Sequence, residues 1–354
     1  MKSINKFFPK SKIIPMDRFV ANALYDKKFG YYSKKTSFGK NGDFVTAPEI
    51  SSLFSEILAL WVVSFWEHLN KPKIFNIVEL GPGSGRMSST LINVFKKFPD
   101  FFNSINMFLY EKSKRLKKVQ EKKLLGEKIK WIKNFKNIKS GPVVFLGNEF
   151  FDAIPIKQYK KVNNILYEQY VGLENNFKIK YFFKKAKLKS KKNLEKFNLL
   201  KNQSFIEFPE QGLKELDLVV RAVKRLNGGL LLIDYGFLKQ ESTNTLQSVK
   251  NHKKNMLFSN VGDADITSLV NFNLLKTYFK QKNLQINNIV TQEFFLKKMG
   301  ILNRAKILSK KMNFKEKAEL YYSLQRLLNP MQMGSLFKVI FAFKLKKKNS
   351  IGFI

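Results

Sequence analysis

The sequence predicts an α/β fold in which a mostly parallel sheet carries helices on both faces. Short, continuously apolar runs at residues 74–80, 105–110, 141–147 and 229–234 read as strands buried on both sides. Stretches with helical apolar spacing at 86–98, 113–125 and 213–226 alternate with them. A three-glycine turn, Gly81-Pro-Gly-Ser-Gly85, joins the first of these strands to the first of these helices.

Upstream of that pattern, 16–26 and 49–69 have helical apolar spacing, and the aromatic, Gly-rich stretch 29–49 between them reads as a loop. Thr46, ahead of Ala47-Pro48-Glu49, suits a helix start, because Pro fits a first turn and Thr can cap. Residues 128–132 are a weak strand. Residues 156–205 alternate apolar and polar side chains and then carry ten Lys between 178 and 201, which reads as short antiparallel strands with a basic loop. Helices are expected near 267–281, 292–299, 301–310 and 314–328, with a strand near 284–290 and a last strand over 336–343. The chain thus divides into an N-terminal helical extension (1–70), a core (71–155 and 206–346, with helical insertions at about 245–330) and an inserted segment at 156–205.

The 354 residues hold 65 Lys+Arg against 27 Asp+Glu, a net charge of +38. Seven of the basic residues are Arg, leaving 58 Lys. Without Cys there is no disulfide framework, thiolate zinc site or iron–sulfur cluster. With His68 and His252 alone there is no multi-His metal site, so no metal is expected. No apolar run reaches the length of a membrane span, so no integral membrane segment is expected, and the basic N-terminus lacks an apolar stretch with a cleavage site. The expected location is therefore cytoplasmic. The charge by itself suits nucleic acid or an anionic membrane. However, Lys, Phe, Asn and Ile are abundant together and all have A/T-rich codons, while Arg, the main bidentate reader of phosphates and bases, is scarce. Compositional bias is the preferred explanation, and nucleic acid is not an expected partner.

The chemistry-bearing residues fall at strand ends. In Val78-Glu-Leu-Gly-Pro-Gly-Ser-Gly85 the glycines allow close backbone approach, and the helix start offers free N–H groups. The spacing is G-x-G-x-G rather than the dinucleotide G-x-G-x-x-G, and Glu79 would repel a pyrophosphate. It suits a ligand bearing an ammonium and a sulfonium, S-adenosylmethionine. Glu111, at the end of the second core strand, suits both hydroxyls of an adenosine ribose. After the fourth strand, Gly147-Asn-Glu-Phe-Phe-Asp152 places Asn148 on the cofactor side and Glu149 and Asp152 where a substrate would sit. Two carboxylates suit a guanidinium, which they can hold by forked, charge-assisted hydrogen bonds and polarise toward attack. Glu149 and Asp152 are accordingly the candidate catalytic residues.

These segments resemble the MidA family of S-adenosylmethionine-dependent methyltransferases, whose mitochondrial members are complex I assembly factors. Gly30-Tyr-Tyr, Gly42-Asp-Phe-Val-Thr-Ala-Pro-Glu-Ile-Ser51, Glu79–Gly85, 148–155, Asp234-Tyr-Gly236, Thr245-Leu-Gln247, His252, Gly262-Asp-Ala-Asp-Ile-Thr267 and Met333-Gly-Ser-Leu-Phe-Lys338 follow in the family's order. The resemblance implies a class I methyltransferase, Rossmann-like, with a seven-stranded mostly parallel sheet and helices on both faces. An N-terminal helical extension and a small inserted antiparallel β/helical subdomain accompany it. S-adenosylmethionine would be bound by Glu79, Gly81, Gly83, Ser84, Gly85, Glu111 and Asn148. Asp43, Phe44, Thr46, Glu49, Asp234 and Tyr235 would form a lid or substrate wall. The implied reaction is symmetric dimethylation of a protein arginine, on a subunit of respiratory complex I or a related protein. Where this loop has Ser84-Gly85, the family commonly has Arg-Gly. Rival readings are a non-catalytic assembly chaperone that keeps the fold, an RNA methyltransferase, and a nicotinamide-dependent oxidoreductase.

Overall fold

The computed structural model describes residues 4–8, 11–34, 45–174, 178–201, 203–239, 242–345 and 349–354. The chain forms two compact units.

One unit comprises Val45–Phe150, Asp217–Phe237 and Phe279–Ile354. Its sheet contains β1 (Phe75–Leu80), β2 (Ile105–Tyr110), β3 (Ile129–Trp131), β4 (Val143–Asn148), β5 (Gly229–Phe237) and β6 (Phe337–Phe343), in the order β6-β5-β4-β1-β2-β3. All neighbours are parallel except β6, which runs antiparallel to β5 with Gly229 opposite Phe343. Two short pieces, Gln285–Ile286 and Val290–Thr291, pair antiparallel with β6 and take the seventh place. The parallel sheet expected from the apolar runs is present, and β1 is buried along its whole length. A strand without an exposed face must satisfy its polar side chains internally. Asn76 does so by donating from Nδ2 to the carbonyls of Ser140 (2.7 Å) and Pro142 (3.1 Å).

Helices α1 (Ser52–His68), α2 (Arg86–Phe95) and α3 (Lys114–Lys123) belong to this unit. Helix α1 is apolar almost all round, which suits a core helix. Its Trp61 is fully buried, sits edge-on to Phe341 of β6 (5.0 Å between ring centroids) and donates from Nε1 to the Ile351 carbonyl (3.1 Å). Helix α2 stops at Phe95 rather than near 98, because Pro99 opens a separate short helix, Pro99–Ser104, and the residue before a proline is pushed out of helical geometry.

The other unit comprises Met1–Phe44, Phe151–Leu216 and Leu238–Tyr278. Its antiparallel sheet runs Ile13–Pro15, Ile165–Leu173, Lys157–Val162, Phe205–Phe208, with Ile179–Lys185 on the remaining side of Ile165–Leu173. The alternation expected to form a strand does so at Ile179–Lys185, and the Lys-rich stretch after it, expected to be a loop, is instead the helix Leu188–Lys196. Lys is a good helix former, and Leu194, fully buried, anchors the helix inward. Helical insertions were expected from about residue 245. That stretch opens with a small sheet instead, Gln247–Lys250, Lys253–Asn255 and Asp265–Thr267. Asn251 and His252 make its two-residue hairpin, both at positive φ (49° and 60°), the geometry of a type I′ turn. The helices downstream fall close to their expected places, at Phe272–Gln281, Gln292–Lys298, Ile301–Ser309 and Phe314–Leu328.

A partly buried charge network lies on the antiparallel sheet of this unit. Lys157 Nζ lies 2.7 Å from Glu168, 3.7 Å from Asp17 and 4.0 Å from Glu210. Burial pulls the Lys157 pKa down, but the hydrogen bond to Glu168 and the charges of Asp17 and Glu168 outweigh it, so the net direction is upward. Among the described residues, no helix is long and apolar enough to cross a membrane.

Candidate active site

The glycine turn leaves the C-terminal end of β1 with Gly81, Gly83 and Gly85 at φ of 63°, 54° and 75°. Those angles favour glycine at each position. A Cβ at Gly81 would also meet the Phe150 ring at 3.1 Å. Gly81 N–H donates to the Tyr110 carbonyl (3.0 Å) and Gly85 N–H to the Pro82 carbonyl (2.8 Å), so the turn is pinned to β2 and to itself. Gly85 is also the N-cap of α2 and offers no side-chain cap, so the helix start is open backbone.

Glu79 lies beneath this turn and is 3% exposed. Its Oε2 accepts from the hydroxyl of Ser88 on α2. Burial raises its pKa to about 7, against the Ser88 hydrogen bond, and the charge of Glu111 adds to the rise.

Glu111 follows β2. Its Oε1 accepts from Ser113 N–H (2.6 Å) and its Oε2 from Gln120 Nε2 (3.1 Å). Burial raises its pKa, and these hydrogen bonds oppose the rise. Gln120, fully buried on α3, also donates to the Gly83 carbonyl (2.9 Å) and accepts from Trp131 Nε1 (2.9 Å). One side chain thus ties the glycine turn to the carboxylate of Glu111. The sequence reading missed Gln120. The signal was present: Leu116, Gln120 and Leu124 form one stripe at helical spacing, and a lone polar residue in an apolar stripe calls for buried partners.

Beyond β4, Glu149 has φ of 49°, an uncommon angle for a side chain of its size. Its N–H donates to the Ile233 carbonyl of β5 (2.9 Å). Its Oε1 accepts from Asn148 Nδ2 (3.2 Å) and from Ala47 N–H (3.1 Å). Ala47 begins a single helical turn, Ala47–Ile50, for which Thr46 is the N-cap residue without a side-chain hydrogen bond. The first-turn N–H is therefore satisfied by Glu149 rather than by the expected threonine cap. Glu49, on the same turn, accepts from the Ser84 hydroxyl and lies 3.6 Å from Arg86 Nη1. The segment 46–50, the glycine turn and the end of β4 are thereby held together.

Asp152, Asp234 and Tyr235 have partners of their own. Asp152 belongs to the unit containing the antiparallel sheet. It is 7% exposed, its carbonyl accepts from Ser268 N–H (3.0 Å), and its charge, with that of Asp265, helps burial push the Tyr32 hydroxyl pKa up. Asp234 is 2% exposed within β5 and accepts from the Tyr235 N–H (2.9 Å), while the Tyr235 ring packs on Phe337 of β6 (5.3 Å). Asp43 and Phe44 lie outside the described residues.

The residues at the end of the parallel sheet fit an adenosyl cofactor. The three left-handed glycines form a turn without side chains, and Gly85 leaves the start of α2 as open backbone. Asn148 Oδ1 is buried without a hydrogen-bond partner among the described residues, an acceptor suited to an amino group. Each Glu111 oxygen can accept more than one hydrogen bond, so hydroxyls can be added to its present partners.

The comparisons with known proteins agree. A family model of S-adenosyl-L-methionine-dependent methyltransferases matches residues 57–290. A Xenopus laevis protein named protein arginine methyltransferase NDUFAF7, mitochondrial, is 29% identical over 353 residues, 92% of this chain and 80% of that protein. The Caenorhabditis elegans homolog of that name is 30% identical over 335 residues, 88% of this chain and 77% of that one. The human protein is 28% identical over 351 residues, 92% and 78%. The solved structure of a COG1565 superfamily member from Burkholderia thailandensis, bound to S-adenosyl-homocysteine, superposes with a TM-score of 0.81 at 22% identity, covering 96% of this chain and 90% of that one. The likeness establishes the class I methyltransferase fold. The expectation of a cytoplasmic location is overturned, because these curated relatives are named as mitochondrial proteins. Matched across about two thirds of its length by the family model, and across 92% and 88% of it by the Xenopus laevis and Caenorhabditis elegans relatives, the chain belongs to the MidA-type family of S-adenosylmethionine-dependent methyltransferases.

Proposed function

We propose that the methyl acceptor is the guanidinium of a protein arginine, taken to the symmetric dimethyl form, on a subunit of respiratory complex I or a related protein. The observation that carries this reading is the carboxylate of Glu149, held in left-handed backbone geometry at the end of β4 and tied to Asn148 and to the Ala47 turn. Backbone strain of this kind persists where the surroundings over-determine it, and it concentrates at functional sites. The relatives named as protein arginine methyltransferases support the same acceptor.

Bound S-adenosylmethionine supplies a methyl group on a sulfonium, which is open to in-line displacement. The residues of the chain do the rest. Gly81, Gly83, Ser84 and Gly85 would present backbone to the cofactor, Glu111 would take the ribose hydroxyls, Asn148 would accept from an amino group, and Glu79 would supply the negative charge for its cations. Glu149 accepts an N–H of the guanidinium, fixes the attacking nitrogen and raises its electron density. With the cofactor bound, transfer would form a C–N bond as the cofactor's C–S bond breaks, and the nitrogen would lose its proton to solvent.

Glu149→Gln should lower methyl transfer by about 10²–10⁴-fold while leaving cofactor affinity within a few fold. Calorimetry with S-adenosylmethionine and single-turnover methylation separate the two effects. A wild-type rate in this variant removes the role assigned to Glu149. The acceptor itself is read by incubating the protein with labelled S-adenosylmethionine and a lysate from a strain lacking it, followed by mass spectrometry. Dimethylarginine on a protein is expected, and label in RNA with none in protein overturns the reading.

A further inference from the structure

Ile179–Lys185 is an edge strand. It pairs antiparallel with Ile165–Leu173, placing Lys180 opposite Gly172 and Lys184 opposite Glu168. The hydrogen bonds just beyond each end, Glu174 N–H to the Lys178 carbonyl (3.0 Å) and Ala186 N–H to the Leu166 carbonyl (2.8 Å), set the alternation. Even-numbered residues face the neighbouring strand, so the N–H and C=O groups of Ile179, Tyr181, Phe183 and Lys185 face outward. Among the described residues, no other strand and no side chain takes them up.

The side chains around this edge are basic and aromatic. Tyr181 and Phe183 are 43% and 46% exposed. Lys180 is paired with Glu174 at 2.8 Å, but no carboxylate among the described residues lies within ion-pair distance of Lys184, Lys185, Lys187, Lys189, Lys191 or Lys192. Outward main-chain groups of four residues, two exposed rings and a run of ammonium groups without a carboxylate partner, Lys184 lying over the Tyr170 ring (4.8 Å), therefore share one edge and the helix that follows it.

We propose that this edge docks an acidic, extended segment of a partner protein, which adds to the sheet as a further strand. Charge sets the choice of occupant. The strand has three Lys and no acid, and the whole chain has 65 basic residues against 27 acidic ones, so pairing with a second copy sets Lys against Lys. The outward N–H and C=O rows match another polypeptide backbone, whereas a nucleic acid would use the ammonium groups alone. Lysines also guard edge strands against unwanted pairing. A guard, however, has no use for Tyr181 and Phe183 left exposed beside it. The inference is independent of the methyl acceptor, and its failure leaves methyl transfer untouched.

The test uses the full chain and a fluorescein-labelled 11-residue peptide of alternating Glu and Val, read by fluorescence anisotropy. Saturable binding that weakens with salt is expected, as is at least tenfold weaker binding by Lys184→Glu/Lys185→Glu. The same peptide with alternate amides N-methylated should lose binding to the wild-type protein, because it cannot complete a ladder. Phe183→Pro removes an outward N–H and no existing ladder bond, so it should fold and bind at least tenfold more weakly. The proposal is overturned by equal binding of the N-methylated peptide, by no peptide binding up to about 1 mM, or by a uridine oligonucleotide of equal charge displacing the peptide while itself binding Phe183→Pro and wild type alike.

Discussion

Glu79 shows how a single side chain changes meaning between sequence and structure. At the end of an apolar strand it reads as a carboxylate for a cationic ligand. In the fold it is buried against Ser88, with its pKa raised from 4.5 to about 7. A carboxyl raised in the folded state stabilises the fold fully below its unfolded pKa, and that stability is lost as pH rises through the folded value. The wild type should therefore lose on the order of 3 kcal/mol between pH 4.5 and 7 relative to Glu79→Gln, seen as diverging thermal midpoints. A cationic ligand at the turn favours the ionised form, so S-adenosylmethionine affinity should rise as pH increases through 7. That rise should flatten in Glu79→Gln, and parallel pH profiles for the two proteins would separate Glu79 from the cofactor. Other side chains were legible only as residue types. Glu49 reads as a lid contact and is found holding Ser84 and Arg86. Gln120 was passed over because it sits among lysines, and its partners, Gly83, Glu111 and Trp131, come from three separate stretches.

Elements whose signals are local were legible. The strands β1, β2, β4 and β5 fall within a few residues of their apolar runs, and α3 starts after Ser113, whose hydroxyl caps it by accepting from Leu116 N–H (3.3 Å). The Leu188–Lys196 helix was not legible, because its apolar side chains are only two, Leu188 and Leu194, set in a run of lysines that reads as a solvated loop. The antiparallel sheet depends on a charge network that sequence spacing does not reveal. Lys157 stands among Asp17, Glu168 and Glu210. Lys157→Met leaves Asp17 and Glu168 without their cation, while Glu210 keeps Lys214 (3.5 Å), and should cost about 3 kcal/mol in urea unfolding. A loss below about 1 kcal/mol would mean that the carboxylates are solvated or protonated at little cost.

For the whole molecule, the +38 charge is a burden on the compact state, because like charges repel at surface separations. Salt shortens the range of that repulsion to about 8 Å at 0.15 M. The thermal midpoint should therefore rise by a few degrees between low salt and 0.3 M sodium chloride. A falling midpoint would show that the attractive pairs, such as Lys157–Glu168 and Arg304–Glu56, outweigh the repulsion. The sequence by itself determined the class of the core unit, its order of strands and helices, and the loops that carry its chemistry, because apolar periodicity and glycine turns are written within a few residues of each other. Only the tertiary structure decided how the second unit is built. Ile14 pairs with Val171, and Tyr159 pairs with Ile206, so its sheet is assembled from stretches far apart in the chain. Pairings over such separations leave no local periodicity that names the partner. They are chosen by which edges and charges meet once the chain has collapsed, and the same choice leaves one basic edge, Ile179–Lys185, open.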